Sequence, residues 1–155
     1  MAKFGIYFDA FVTAATVKTA ASLHADAAGE EGEIVEAIMT GSGSAAPADR
    51  QHRARLVRAT NATPGTGTAQ VPELFQGAGN AAKLASIVEF SAEPGALATV
   101  YPVLWGFNQR GGMRWSVPRG EGLKIRNADT NLRGLFQVLS DAAGEVDGSV
   151  HHWED

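Results

Sequence analysis

Residues 122–126 read GLKIR, a stretch in which apolar and basic residues alternate without interruption. Because successive side chains of a β-strand point to opposite faces of the sheet, Leu123 and Ile125 are predicted on a buried face and the two basic residues on a solvated one. Residues 53–56, RARL, alternate in the same way with their arginines outward. Strands with one buried and one solvated face are typical of antiparallel sheets.

Elsewhere in the chain, short segments rich in β-forming residues are separated by clusters of Gly, Pro, Asn, Asp and Ser. This spacing, with 18 glycines in 155 residues, predicts an all-β protein, an antiparallel β-sandwich of the jelly-roll type with about eight core strands. An alanine-rich run at 14–28 has some helix propensity, but alternation and β-branched residues favour a strand there. The candidate strands are 3–12, 15–24, 33–41, 52–60, 84–91, 97–107, 113–117, 122–126, 132–139 and 148–154.

Turn residues predict how these strands connect. The segment QRGG at 109–112 predicts a hairpin over 97–117, because two glycines permit the positive φ values of tight turns. The segment PRGEG at 118–122 is predicted to end one strand and begin the next. Residues 61–83, rich in Gly, Pro and Thr, are predicted to form a long ordered loop.

The composition limits the possible chemistry and partners. The chain has no cysteine, which excludes disulfides, thiol nucleophiles and thiolate zinc sites. It shows neither a secretory leader nor a long uncharged apolar run, so a soluble protein with no membrane partner is expected. The net charge of −4 argues against general nucleic-acid binding.

Charge is distributed unevenly along the chain. Residues 1–49 contain two lysines and seven acids, residues 50–133 contain eleven basic and five acidic residues, and residues 134–155 contain five acids and no base. Two explanations remain open: ordinary solvated strand faces, or complementary patches that pair subunits or meet a charged partner. The densest acidic group, at 30–33, is predicted to be a solvated turn.

Histidines, acids and serines predict no catalytic, cofactor or metal site, and the chain is not expected to be an enzyme. His151 and His152 are adjacent, but neighbours on a strand point to opposite faces and cannot readily share one ion. No serine lies in a Gly-x-Ser-x-Gly motif that leads into a helix, and no Gly-Lys-Ser/Thr follows the GSGS segment at 41–44.

Aromatic residues are concentrated in two regions. Tyr101, Trp105, Phe107 and Trp115 fall on the predicted hairpin, where they form core packing or an exposed interface or sugar platform. The chain is divided into an arm or extra strand (1–14) and a single jelly-roll domain (15–155). An apolar arm should not remain in water, so it pairs at a sheet edge or docks on a neighbouring subunit. Its aromatic residues are Phe4, Tyr7, Phe8 and Phe11.

The segments GFNQRGGMRW at 106–115, PRGEGLKI at 118–125 and VHHWE at 150–154 resemble small virion proteins of tailed bacteriophages. The resemblance covers about 90–155 well and the remainder loosely. Those proteins look like jelly rolls of the tumour-necrosis-factor type, and some serve as capsid cement or decoration proteins.

This resemblance implies a virion structural protein, made in the host cytoplasm, that stabilises the outer capsid surface by bridging subunits of the major capsid protein. It is expected to form a homo-dimer or homo-trimer. Removing residues 1–11 is expected to weaken attachment while leaving the domain folded. The alternative is a receptor- or carbohydrate-binding head of a phage fibre or spike, with Trp105, Trp115 or Trp153 as a platform. The residues expected to contact a partner are Phe4, Tyr7, Phe8, Phe11, Arg110 and Arg114.

Overall fold

The structure, a computed structural model, describes residues 2–41, 50–59, 64–76, 81–95, 102–127 and 133–154. These ranges contain twelve β-strands, all paired antiparallel in two sheets, which confirms the predicted all-β sandwich. No helix occurs in them, and so none that could cross a membrane. The strand predicted at 15–24, where a helix was the alternative, is present as Lys18–His24.

The first sheet, called the front sheet below, consists of β1 (Ala2–Val12), β3 (Glu31–Gly41), β6 (Glu73–Gln76), β9 (Gly112–Ser116), β10 (Leu123–Arg126) and β12 (Glu145–Glu154). Its order is β10-β3-β12-β1-β6, and β9 pairs with β3 beside β10.

The second sheet, the back sheet, consists of β2 (Lys18–His24), β4 (Gln51–Ala59), β5 (Thr66–Gln70), β7 (Ala85–Ala92), β8 (Val103–Asn108) and β11 (Arg133–Ser140). Its order is β5-β7-β2-β11-β4-β8.

The strand order identifies the sandwich as a jelly roll. Setting aside β5, β6, β7 and β9 leaves eight strands, four in each sheet. Counted in chain order among these eight, the front-sheet strands lie in the order first, eighth, third and sixth, which is β1-β12-β3-β10. The back-sheet strands lie in the order second, seventh, fourth and fifth, which is β2-β11-β4-β8. This is the order of two interlocked Greek keys, and the predicted jelly-roll class is confirmed.

The loop predicted over 61–83 is wrong in part, because it contains two strands. Thr66–Gln70 is the edge strand β5, and Glu73–Gln76 is the edge strand β6, which pairs with β1. No side chain of β5 is fully buried. An edge strand of this kind needs no alternating apolar pattern, so its composition resembles that of a loop.

The hairpin predicted over 97–117 is wrong. Strand β8 pairs with β4 in the back sheet and β9 pairs with β3 in the front sheet. The turn at 109–111 carries the chain from one sheet to the other, and neither Gly111 nor Gly112 has a positive φ. The rings of Trp105 and Trp115 therefore approach each other inside the sandwich, with centroids 6.4 Å apart. Tyr101 lies outside the described residues.

The amino-terminal residues form a strand within the jelly roll. Strand β1 is paired with β12 on one side and β6 on the other, so residues 2–12 belong to the same sandwich as the other described strands. Phe4, Ile6 and Phe8 point into the core. The register with β12 shifts between Phe8 and Phe11, near Ala10 with its φ of 50°, and Phe11 also points inward. Of the two predicted forms, arm or extra strand, the structure shows a strand.

Phe136 lies at the centre of the core, where its ring is 5.8 Å from Phe8 and 6.0 Å from Trp105 between centroids. We expect Phe136→Ala to lower the free energy of unfolding by about 3–5 kcal/mol, because it removes a buried ring and leaves a cavity. Phe75→Ala makes the same change at an exposed position and should cost about 1 kcal/mol or less. Urea denaturation measures both values; equal losses would contradict the assignment of the core.

Candidate functional site on the front face

The front face is the solvent-facing side of the front sheet, and its side chains lie in rows across the strands. One row joins Tyr7, Ser149, Ile38 and Arg114; the next joins Gly5, His151, Glu36 and Ser116. A third row joins Lys3, Trp153, Glu33 and Lys124. Residues from five strands are thus brought together, although they are far apart in sequence.

The middle of the face is an ion-pair network around Glu36. This carboxylate is nearly buried, and it accepts hydrogen bonds from Arg114 at 2.6 Å, His151 Nδ1 at 2.7 Å and Lys3 Nζ at 3.3 Å. Burial raises the pKa of Glu36, but the hydrogen bonds from His151, Arg114 and Lys3 outweigh burial and lower the pKa to about 2. The network links β1, β3, β9 and β12 and fixes the direction of Arg114.

One side of the face is apolar and exposed. The ring of Phe75 packs against His151, with centroids 4.5 Å apart. This contact requires glycine at position 5, because a Cβ there would collide with the Phe75 ring. The Tyr7 N–H donates to the side chain of Gln70 at 2.9 Å, which places the β5–β6 connection beside β1. We call the exposed apolar residues of this region the apolar edge: Tyr7, Val71 and Phe75.

The six predicted partner residues fall into two groups. Phe4, Phe8 and Phe11 are 2%, 2% and 6% exposed, so they are core residues and are not available to a partner. The prediction that these three residues contact a partner is therefore wrong. A dense aromatic run is also typical of a buried strand, so the sequence pattern did not distinguish the two. Three residues remain exposed. Tyr7 and Arg114 lie in the same row of the front face, whereas Arg110 lies in the β8–β9 turn, its N–H donating to Asn108 Oδ1 at 2.9 Å.

Lys3, Glu36 and Phe75 are part of this face and were not predicted to be so. The sequence signal for Phe75 is the pair of large apolar residues in ELFQ at 73–76, inside a segment otherwise rich in turn residues. No local signal marks Glu36, because its partners come from β1, β9 and β12.

The two adjacent histidines point to opposite faces, as predicted. His151 contacts Glu36 on the front face, whereas His152 is fully buried and bonds to Glu154 at 2.8 Å through Nε2. Across the described ranges, no three His, Asp or Glu side chains are grouped so that they could hold a metal ion.

A serine–histidine pair is present in the core. His52 Nδ1 lies 2.5 Å from Ser140 Oγ, and the imidazole stacks on Phe107. Such pairs can activate a serine for nucleophilic attack, but here His52 and Ser140 are only 1% and 3% exposed. Burial also lowers the pKa of His52. The pair therefore joins β4 to β11 and is inaccessible to a substrate.

A polar groove of about 400 Å³ opens at the end of the front face, beside Trp153. Trp105 and Trp115 pack against the core, so Trp153 is the tryptophan that borders open space. We call this feature the Trp153 groove; its charged walls are Glu31, Glu33, Arg119, Lys124 and Arg126.

No model of a known protein family matches the chain. No curated protein matches its sequence at a significant level.

The Glu36 network predicts a specific pH dependence of stability. The pKa of Glu36 is about 2 in the folded protein and 4.5 without the network. The stabilisation of the folded state by the ionised carboxylate is therefore complete above about pH 4.5. It is lost as the pH falls towards 2. We expect Glu36→Gln to lower the free energy of unfolding by about 2 kcal/mol at pH 7, allowing for solvent screening around Arg114.

The difference between the wild type and Glu36→Gln should disappear near pH 2 in denaturation curves. The exposed Glu121 provides the matched control, and Glu121→Gln should leave the pH profile unchanged. A penalty for Glu36→Gln that is independent of pH would contradict the account.

Proposed function

We propose that this protein is a non-enzymatic virion structural protein of the capsid cement or decoration type. It binds the major capsid protein on the outer surface of the capsid and stabilises the head by bridging capsid subunits. The observation that carries the proposal is that exposed aromatic residues, Tyr7 and Phe75, share one sheet face with exposed Arg114. The resemblance of residues 90–155 to phage virion proteins supports the same assignment.

The composition of the front face suits protein recognition. Tyrosine and arginine are enriched among the residues that contribute most to protein interfaces, and contiguous exposed apolar residues commonly mark such interfaces. The three side chains of the apolar edge are between 54% and 80% exposed. Covering them with a partner would remove this apolar surface from water.

The face is also held in place before binding. Glu36 fixes Arg114 by a hydrogen bond of 2.6 Å, and Tyr7 is on a strand that is paired on both sides. A preorganised surface loses less conformational entropy when it binds. Capsid sites are repeated by symmetry, so we propose that the protein occupies them as a closed homo-oligomer, either a dimer or a trimer.

Deletion of residues 1–11, the experiment that the sequence suggests, would remove nearly all of β1 together with the buried Phe4, Ile6 and Phe8. It would therefore unfold the sandwich instead of detaching an arm. Point changes at exposed positions separate binding from folding.

We expect Tyr7→Ser with Phe75→Ser to reduce co-sedimentation with capsids that lack the protein by at least about tenfold, because the change removes two aromatic anchors. The control is Val12→Ser with Leu104→Ser. These residues are 57% and 61% exposed, and neither belongs to the apolar edge. Both double variants should keep the wild-type circular dichroism spectrum. Full capsid binding by the Tyr7/Phe75 variant would contradict the proposed interface.

A second candidate function, a receptor- or carbohydrate-binding head of a fibre or spike, is supported by the Trp153 groove. Aromatic rings that border open polar grooves provide stacking surfaces for sugars, and the groove volume suits a small ligand. The test is glycan-array binding that disappears in Trp153→Ala while thermal unfolding stays cooperative. An array without any bound glycan would count against this candidate and leave the cement proposal unaffected.

A further inference from the structure

The Trp153 groove is built on one row of the front sheet. Trp153 on β12, Glu33 on β3 and Lys124 on β10 lie directly opposite one another. Adjacent strands are about 4.8 Å apart, so the row is about 10 Å long from the indole to the lysine. A ligand in the groove therefore contacts an aromatic surface at one end and a cation at the other.

The wall of the groove is fixed by Glu33. Its carboxylate is nearly buried and accepts the backbone N–H groups of Gly120, at 2.9 Å, and Gly122. Gly120 has a φ of +96°, a conformation that favours glycine. These two hydrogen bonds hold the β9–β10 connection against β3. They place the guanidinium of Arg119 5.9 Å from the centre of the Trp153 indole.

The balance of charge in the groove is positive. Arg119, Lys124 and Arg126 border it together with Glu31 and Glu33. Glu33 already accepts two backbone donors, and Glu31 Oε2 lies 3.6 Å from Arg126 Nε. Lys124 is exposed and has no ion-pair partner among the residues that the structure describes. The groove thus offers cationic groups to a ligand that carries negative charge.

Glu31 narrows the class of ligand. Its side chain is 48% exposed, and a carboxylate is an acceptor for hydroxyl donors. A polyphosphate would place several negative charges close together beside Glu31 and Glu33, which is more repulsive than one carboxylate for each ring. A neutral sugar would make no charge-assisted hydrogen bond with Lys124. A ligand with hydroxyl groups and a single carboxylate for each ring satisfies the indole, the cations and the acceptor together.

We infer that the Trp153 groove binds an acidic saccharide, with a sugar ring against the Trp153 indole and its carboxylate at Arg119 and Lys124. This inference rests on the second candidate function and names its ligand class. The groove shares no residue with the apolar edge. An acidic saccharide can therefore bind in it whether the protein is attached to a capsid or to a fibre.

The test uses the full chain and a matched pair of ligands: an oligogalacturonate and the same oligosaccharide after reduction of its carboxyl groups. We expect calorimetric titration to show binding of the acidic form, weaker binding at high salt, and at least about tenfold weaker binding of the reduced form.

Three variants locate the ligand on the protein. Trp153→Ala should weaken binding by about tenfold or more, and Lys124→Gln by about threefold, the effect expected of one solvent-exposed charge pair. Lys18→Gln, the same change on the back sheet, should have no effect. Chemical-shift changes in labelled protein provide a second readout if Trp153→Ala fails to fold, since they should centre on residues 31–33, 119–126 and 153.

The outcomes separate the inference from the function on which it rests. Equal binding of the acidic and the reduced saccharide would overturn the acidic ligand class while retaining carbohydrate binding. Binding of neither form, nor of any other glycan on an array, would overturn both. Binding that is unchanged in Lys124→Gln and in Trp153→Ala would place the ligand elsewhere and also overturn the inference.

Discussion

The structure depends above all on the pairing of the first strand with the last. Strand β1 lies antiparallel to β12 from Ala2 opposite Glu154 to Val12 opposite Glu145. Because side chains alternate along a strand, a shift of this register by one residue would turn the core side chains of β1 to the front face. The observed register puts Phe4, Ile6 and Phe8 into the core. It also puts Lys3 and Tyr7 on the front face, beside His151 and Trp153 of β12.

Three nearly buried acids bond to segments that the pairing of β1 with β12 does not join directly. Glu33 holds the β9–β10 connection, and Glu36 joins Arg114 to Lys3 and His151. Glu154 accepts the backbone N–H groups of Lys83 and Leu84 while it also contacts His152. Buried carboxylates are stable only when donors surround them, so each acid fixes the geometry of its donors. These hydrogen bonds set the geometry of the front face and of the Trp153 groove.

Local sequence patterns predicted the features that are determined locally. The alternation at 122–126 located β10 and its two faces, and the opposite directions of His151 and His152 followed from strand geometry alone. The jelly-roll class followed from the number and spacing of such segments. Each of these inferences uses only the period of a strand and the chemistry of turns.

Features that depend on long-range pairing could not be predicted in this way. The turn residues at 109–112 suit either a hairpin or a crossing between sheets, and the pairing with β3 and β4 decides between them. The acidic residues at 30–33 looked like a solvated turn, yet Glu33 is nearly buried because loop N–H groups 87 and 89 positions away bond to it. The aromatic run at 4–11 suited both an arm and a core strand, and only the exposed Tyr7 retains a predicted role in binding.

Part of the charge asymmetry along the chain is compensated within the molecule. Arg114 and Arg126 from the basic middle pair with Glu36 and Glu31 from the acidic beginning. Charges that pair inside the chain contribute less to recognition of a partner than the exposed aromatic residues beside them. The proposed binding surface therefore consists of the apolar edge and the neighbouring Glu36 network. Both lie on a sandwich whose first and last described strands, β1 and β12, are paired.

The most direct test is a cryo-electron microscopy map of the intact particle in which the protein is proposed to occur. We expect symmetric density for the jelly roll on the outer capsid surface, with Tyr7, Phe75 and Arg114 in contact with the major capsid protein or with a neighbouring copy. Density at a fibre tip instead, or a front face that is open to solvent in every copy, would contradict the proposal.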